Sequence, residues 1–402
     1  MTQQKTNKSG IIQVTLYLLL LVVSTFTSCT RKDLFLRIDQ SEIRININDI
    51  RLDMLWGIDW QTSMLYNWDE QVHGRLGYTE PEWIRATIYD LNSADFTRTG
   101  SFNRNFTKAG GRVSLTAGQW YDMLFYNADT EYVIFGQNDL NSDYMATTRS
   151  TSLNVYTRAT EDNMQLPSRS YADFNQPDEL FGSFIDDMQV SEDPDHYEQT
   201  IDSLGNIVNV FNIETALQPY TFIYLIQVVV MNNQDEKGTR IVGGQGMTVT
   251  GLAKGVELFS RRTNSEVVSV TSEDIKPTQS FTNLELPDGT KADCEVFASR
   301  ILTWGLPNVA PLAERTRSSV EVVEDNFIGV GLLTRSGYVY NYTANITEQM
   351  HQHPAGGVIT VVIDAGQIDN KYIDKPQSEN RGGGFNASVE NWGNEYNASV
   401  TI

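Results

Sequence analysis

The sequence predicts an all-β protein built as two tandem sandwich domains behind a removable leader. Three observations carry the prediction. Period-two alternation of apolar residues recurs along most of the chain, turn residues separate the alternating runs, and no stretch offers a long amphipathic helix with caps.

The leader comes first. Lys5 and Lys8 precede an apolar core that is tightest over Leu16 to Val23, and the run ends at Phe26-Thr27-Ser28-Cys29. A membrane span needs roughly 20 continuous apolar residues. Here Gln13, Thr15, Ser24 and Thr25 interrupt the run, so residues 1–28 read as a lipoprotein signal peptide and Cys29 as the acylated first residue of the mature chain. Each buried acyl methylene contributes about 0.8 kcal/mol and a single chain holds only marginally, so several chains on one cysteine give a stable tether.

The mature chain begins with strands. Ile43, Ile45 and Ile47 alternate with Arg44, Asn46 and Asn48, and Trp56, Ile58 and Trp60 repeat the pattern. Further β-branched and aromatic runs follow at Trp83 to Leu91, Arg112 to Leu115, Trp120 to Tyr126 and Tyr132 to Phe135. Thr99-Gly100-Ser101, Ala109-Gly110-Gly111 and Asn127-Ala128-Asp129 are read as the turns between them. Residues 138–178 turn polar and read as a long surface excursion, and residues 186–206 are acidic and poor in strand formers. Tyr220 to Met231 is apolar on both of its faces, which is the pattern of a central covered strand. Strands are then expected at Gly246 to Leu258, Glu266 to Val270, Glu295 to Leu302, Phe327 to Thr334, Tyr338 to Ile346, Val358 to Ile363 and within Phe385 to Ile402.

Size and charge set the remaining bounds. Removing 28 of 402 residues leaves 374, more than one hydrophobic core usually serves. The expected division is 29–205 for the first sandwich domain and 206–402 for the second, with the boundary at Asn206 where composition shifts. The leader takes two of the 30 basic residues and none of the 51 acidic ones, leaving the mature chain at −23. That balance disfavours nucleic acid and anionic lipid surfaces as partners. There are two cysteines, so with Cys29 acylated no intramolecular disulfide remains, and Cys294 reads as a small buried strand residue.

The motifs offer little chemistry. His351 and His353 flank Gln352, but a zinc site needs further ligands and none is near in sequence, so the pair reads as a polar loop before Pro354. His73 and His196 are isolated among polar neighbours. Glu192-Asp193-Pro194-Asp195 lacks the alternating spacing of a calcium loop, and Gly243-Gly244-Gln245-Gly246 has no downstream Lys and Ser or Thr for phosphate. No cofactor, metal or catalytic set is therefore assigned. Paired carboxylates brought together from distant strands remain the one form a glycoside hydrolase would take. Trp56, Trp60, Trp68 and Trp83 concentrate in the first half. They suit either a carbohydrate-stacking platform or core packing, and the shared parity of Trp56, Ile58 and Trp60 favours the core.

Three segments carry a family resemblance. The start Cys29-Thr30-Arg31-Lys32-Asp33-Leu34, the element running from Gly118-Gln119-Trp120-Tyr121 to Tyr126-Asn127-Ala128-Asp129-Thr130, and Phe385-Asn386-Ala387-Ser388-Val389-Glu390-Asn391-Trp392 resemble the fimbrillin-related lipoproteins of Bacteroidales. The chain is most similar to a branch related to the anchor subunits of fimbriae. In the Gly118 element a glycine turn feeds an aromatic strand that ends in an Asn-Ala-Asp-Thr turn. The resemblance implies two transthyretin-like Greek-key sandwiches, an outer-membrane lipoprotein at the cell surface, and a non-enzymatic part in a type V pilus.

It also implies a way of assembling. Family pilins polymerise after an Arg-specific protease removes the first strand and a neighbour's strand fills the groove, with main-chain hydrogen bonds supplying affinity. On this chain Ile43, Ile45 and Ile47 would belong to that strand, and Arg44 and Arg51 are the nearest cleavage points. The expected partners are outer-membrane lipid through Cys29 and other fimbrial subunits. Asp202-Ser203-Leu204 resembles the short O-glycosylation acceptor of Bacteroides. The rival reading is a surface glycan-binding lipoprotein of a polysaccharide uptake system.

Overall fold

The computed structural model describes residues 40–45, 64–150, 173–201, 204–234, 240–273, 275–286, 288–309, 325–337 and 339–367, together with short strands at 373–374, 384–387 and 398–401. Cys29, Ile47, Arg51, Trp56 and Trp60 lie outside the described residues. Among the described residues no helix is long and apolar enough to cross a membrane.

The fold is nearly all β. In chain order the first half holds β1 (Gln40–Ile45), the one-turn helix α1 (Glu70–His73), β2 (Trp83–Leu91), β3 (Arg98–Thr107), β4 (Gly111–Ser114), β5 (Trp120–Asn127), β6 (Val133–Gln137), β7 (Tyr144–Thr148), β8 (Asp173–Phe174), β9 (Phe181–Gln189), β10 (Glu198–Ile201), β11 (Ile207–Thr215) and β12 (Gln218–Pro219). The second half holds β13 (Phe222–Met231), β14 (Ile241–Ala253), β15 (Gly255–Glu257), β16 (Val267–Ser272), β17 (Lys276–Glu285), β18 (Lys291–Thr303), β19 (Phe327–Thr334), β20 (Val339–Asn345), helix α2 (Thr347–Gln352), β21 (Gly357–Asp364), β22 (Ile373–Asp374), β23 (Gly384–Ala387) and β24 (Ala398–Thr401).

Two sheets belong to the first half, ordered β12-β9-β5-β2-β3 and β10-β11-β1-β4. Two belong mainly to the second, ordered β17-β18-β13-β21 and β22-β20-β19-β14-β16-β8. A three-stranded sheet, β15-β7-β6, joins strands from both halves. Strand β8 likewise crosses over, pairing in parallel with β16.

The expected boundary at Asn206 needs correction. Asn206 lies in the turn of the β10–β11 hairpin, whose strands pair from Glu198 with Val210 to Ile201 with Ile207. A cut there would sever a hairpin, and β11 goes on to pair with β1. The sheets change after β12 instead. Residues 138–178 are also more than a surface excursion, because Tyr144–Thr148 form β7 with Ala146 and Thr148 buried.

Strand β13 is covered on both faces, as its apolar run predicts: nine consecutive residues, Phe222 to Val230, are buried. Phe222, Tyr224, Ile226, Val228 and Val230 enter one cluster with Val249, Leu252, Ile328, Val330, Leu332, Ile359 and Val361. Ile223, Leu225 and Val229 enter another, which continues through Tyr66, Tyr78 and Phe181 to Ile84, Ile88, Met123 and Phe125 of the first half. Full burial of each such side chain contributes about 1.5–3 kcal/mol, so this strand holds both cores. Strand β5 is built the same way, with Met123 and Phe125 in that second cluster and Leu124 and Tyr126 in a third that includes Val133, Ala146, Val256, Leu258 and Trp304.

A strap formed by residues 64–79 ties the halves together. Arg300 on β18 donates to the carbonyl oxygens of Leu76 and Gly77 and pairs with Glu179 at 2.7 Å. The Tyr78 hydroxyl donates to the Thr221 carbonyl at 2.7 Å. At the middle of β13, fully buried Gln227 accepts from the Leu65 N–H at 3.1 Å and donates to Thr360 Oγ1 at 2.7 Å. Replacing Gln227 with Met keeps the volume and leaves the half-buried Leu65 N–H and Thr360 hydroxyl without those bonds. The expected loss is about 1–3 kcal/mol, read as a lower urea midpoint with an unchanged m-value.

Candidate strand-exchange site

The first strand is an interior one. Strand β1 runs parallel to β11, in a register from Ser41 with Phe211 to Ile45 with Thr215, and antiparallel to β4, from Gln40 with Ser114 to Ile43 with Gly111. A parallel partner cannot come from a short turn, so β1 reaches this position from elsewhere in the sequence. Taking it away would leave two facing edges of unpaired N–H and C=O groups, which is the template an incoming strand needs.

The walls of that position are set by its neighbours. Val113 on β4 and Val210 and Ile213 on β11 are buried, while Phe211 packs partly against the core and sits 5.6 Å from the Tyr197 ring. Gly111, the register partner of Ile43, has the Phe106 ring where a Cβ would stand, so only glycine lets that ring close over the strand. Of the residues named for strand exchange, Ile43 and Ile45 lie on β1, and Ile43 is level with Ile213. Arg44 is level with Glu214. These positions meet their neighbours through backbone pairing.

The other candidates fall into structural roles. Cys294 is 4% exposed on β18, and burial first, then Asp293 and Glu295, raises its thiol pKa, which leaves it a poor nucleophile. His351 and His353 stand at the end of α2 rather than on a strand or in a loop. The His353 carbonyl accepts from the Tyr224 hydroxyl at 2.9 Å. The His73 ring lies 4.9 Å from Trp68, and His196 Nδ1 is 2.6 Å from the Ser191 hydroxyl. Trp68 packs against the core and donates to the Gly74 carbonyl, whereas Trp83 is 53% exposed at the start of β2.

Sequence reading missed one polar group. Asp122, Asp186 and Asp187 bring carboxylate oxygens within 4.8 Å of one another. Asp122 already has a counter-charge, because Arg98 pairs with it at 2.7 Å, and it also accepts from the Asp187 N–H. Burial first, then Asp122, raises the Asp186 pKa. The Arg98 guanidinium is in turn stacked 3.8 Å from the Phe259 ring centroid and 4.9 Å from that of Tyr89. These contacts join β3, β5 and the loop after β15, and no local motif announces them.

Comparison with known proteins gives one family match and a set of solved structures. Residues 73–272 match a family model described as a domain of unknown function, DUF5119. No curated protein matches the chain. Among solved structures, one described as a candidate adhesin from Bacteroides ovatus is 13% identical, with a TM-score of 0.45 over 84% of this chain and 93% of that one. A candidate adhesin from Bacteroides thetaiotaomicron is 9% identical, with a TM-score of 0.37 over 81% and 90%. The fimbrial anchor protein Mfa2 from Porphyromonas gingivalis is 9% identical, with a TM-score of 0.36 over 80% and 90%.

Two outcomes test the site. Ile43→Pro removes a ladder donor from β1, so amide exchange should quicken at 111–114 and 211–215 while 222–231 stays protected. The second outcome concerns acid. Burial lowers the His351 pKa below 6.5 against an opposing pull from Asp325. The unfolded chain therefore takes up a proton near pH 6.5 that the folded chain refuses, so stability falls as pH drops below about 6.5. His351→Gln should flatten that part of the stability profile in urea titrations.

Proposed function

We propose that this chain is a non-enzymatic, lipid-anchored adhesion protein of the outer bacterial surface, serving as anchor or accessory subunit of a fimbria-like assembly. The observation that carries the reading is the place of β1, the strand nearest Cys29, between β11 and β4. A strand held by ladders on both sides transmits a pull along the chain into the sheet rather than to a loose end. A lipid at Cys29 and a docking sheet behind it are the two parts that an anchor requires, and neither needs a bond made or broken in a substrate. The family resemblance of the Cys29 start and of the Gly118 element supports the same role.

Strand complementation is the mode of partner binding we assign. Arg44 lies within β1, level with Glu214 of β11 and one residue past the end of the ladder to β4, so the folded chain should resist an Arg-specific protease there. An anchor keeps its first strand, and a polymerising subunit gives it up.

Cys29→Ala should move the protein from the membrane fraction to the soluble one, and a variant that still sediments with membranes would end the tether reading. Incubating the lipidated protein with an Arg-specific protease should leave the bond after Arg44 intact. A product beginning at Ile45 would reassign the chain from anchor to strand-exchanging subunit.

A further inference from the structure

Among the described residues, the long edge strands of the sheets are β3 and β17, of 10 residues each, and β21, of 8. An edge presents a row of backbone N–H and C=O groups that can pair with another chain. Strand β3 carries Arg98 and Arg104, and β17 carries Lys276, Pro277 and two register shifts, all of which discourage such pairing. Strand β21 has none of these. From Gly357 to Ile363 it holds no charge and no proline, and its described ladder is the parallel one to β13. An uncharged, β-branched run of this kind pairs readily with copies of itself.

A side chain stands where the missing neighbour would be. Gln349 on α2 donates from Nε2 to the Thr360 carbonyl at 2.9 Å, and its Oε1 accepts from the Thr360 N–H at 2.7 Å. A residue on a facing strand would make this same pair of bonds, and here one amide supplies both. Two residues on, the Val362 carbonyl accepts from the Tyr342 hydroxyl at a longer 3.5 Å. The helix is pinned in this position. Ile346 and Met350 are buried in the core of the second half, the Asn326 N–H donates to Thr347 Oγ1 at 2.8 Å, and the His353 carbonyl accepts from Tyr224. Thr360 is held as well, because its Oγ1 accepts from Gln227.

We propose that Gln349 is an edge guard: its amide fills the pairing position at Thr360 and keeps β21 from adding a strand of a second copy of this chain. A second copy is the occupant the strand itself suits. Two identical edges can run antiparallel about a two-fold axis and satisfy each other with no other partner. The inference goes beyond the anchor reading and does not rest on Cys29 or on exchange of β1. In an anchor, the guard would keep neighbouring copies from pairing with one another.

The test is Gln349→Ala in the full lipidated chain. Gln352→Ala is the control, because the Gln352 amide bonds Glu348 within the same helix. Copies are counted by native mass spectrometry from detergent micelles, and amide exchange is followed over 222–231 and 357–364. Wild type and Gln352→Ala should stay single. Gln349→Ala should show a doubled mass, with slower exchange over 357–364 in the paired fraction than in the single one. A Gln349→Ala protein that stays single overturns the proposal, whatever its exchange. Pairs whose exchange over 357–364 is no slower place the contact on another surface and overturn it too, as does pairing of the wild type or of Gln352→Ala. Loss of protection over 222–231 in Gln349→Ala would make the residue a support of the fold, and the guard role would fall. Membrane fractionation of Cys29→Ala is untouched by any of these results, so the two readings fail separately.

Discussion

The structure depends on β13 having no exposed face. An apolar strand hydrogen-bonded to β18 on one side and β21 on the other must find cover above and below, and each cover comes from a different part of the chain. One face closes against the six-stranded sheet of the second half. The other is met by the 64–79 strap and merges with the core of the first half. Gln227 is the one polar side chain in the buried run beyond Tyr224, and its amide is satisfied from both directions, by Leu65 and by Thr360. Such a group costs little while its partners hold position and much once either moves, which makes the strap part of the fold rather than a linker.

The same interdependence appears in the crossed strands. Strand β8 from the first half extends a sheet of the second, and β15 from the second half joins β6 and β7 of the first. Strand β15 approaches β7 so closely that a Cβ on Gly255 would collide with the Ala146 carbonyl oxygen. Trp304, just past the end of β18, donates from its indole to Thr148 of β7. A body laced in this way spreads a load over both cores.

Legibility followed the range of the interactions. The strongly apolar runs, β2, β5, β13, β19 and β21, stood in the sequence almost to the residue, because burial on at least one face leaves a local pattern. Strand β3 was missed, and its Thr99-Gly100-Ser101 was read as a turn. Its residues alternate only weakly, and it exists because Arg98 to Thr107 line up against β2. Strands β9 and β17 were hidden by polar and acidic composition, and β7 by small and hydroxyl side chains whose burial depends on β15 more than a hundred residues away. The Arg98–Asp122–Asp187 contacts were invisible for the same reason: their members are far apart in the chain.

The sequence by itself determined the class of fold, the two-cysteine composition that gives no disulfide framework and the alternating isoleucines of the first strand, since each is a matter of composition or of short period. Tertiary structure decided which strands pair, that β1 sits between β11 and β4, and that the halves exchange strands. The physical reason is the reach of the forces. Alternation and composition are local properties of the chain, whereas ladder partners and shared burial are chosen among segments that meet only when it has closed on itself.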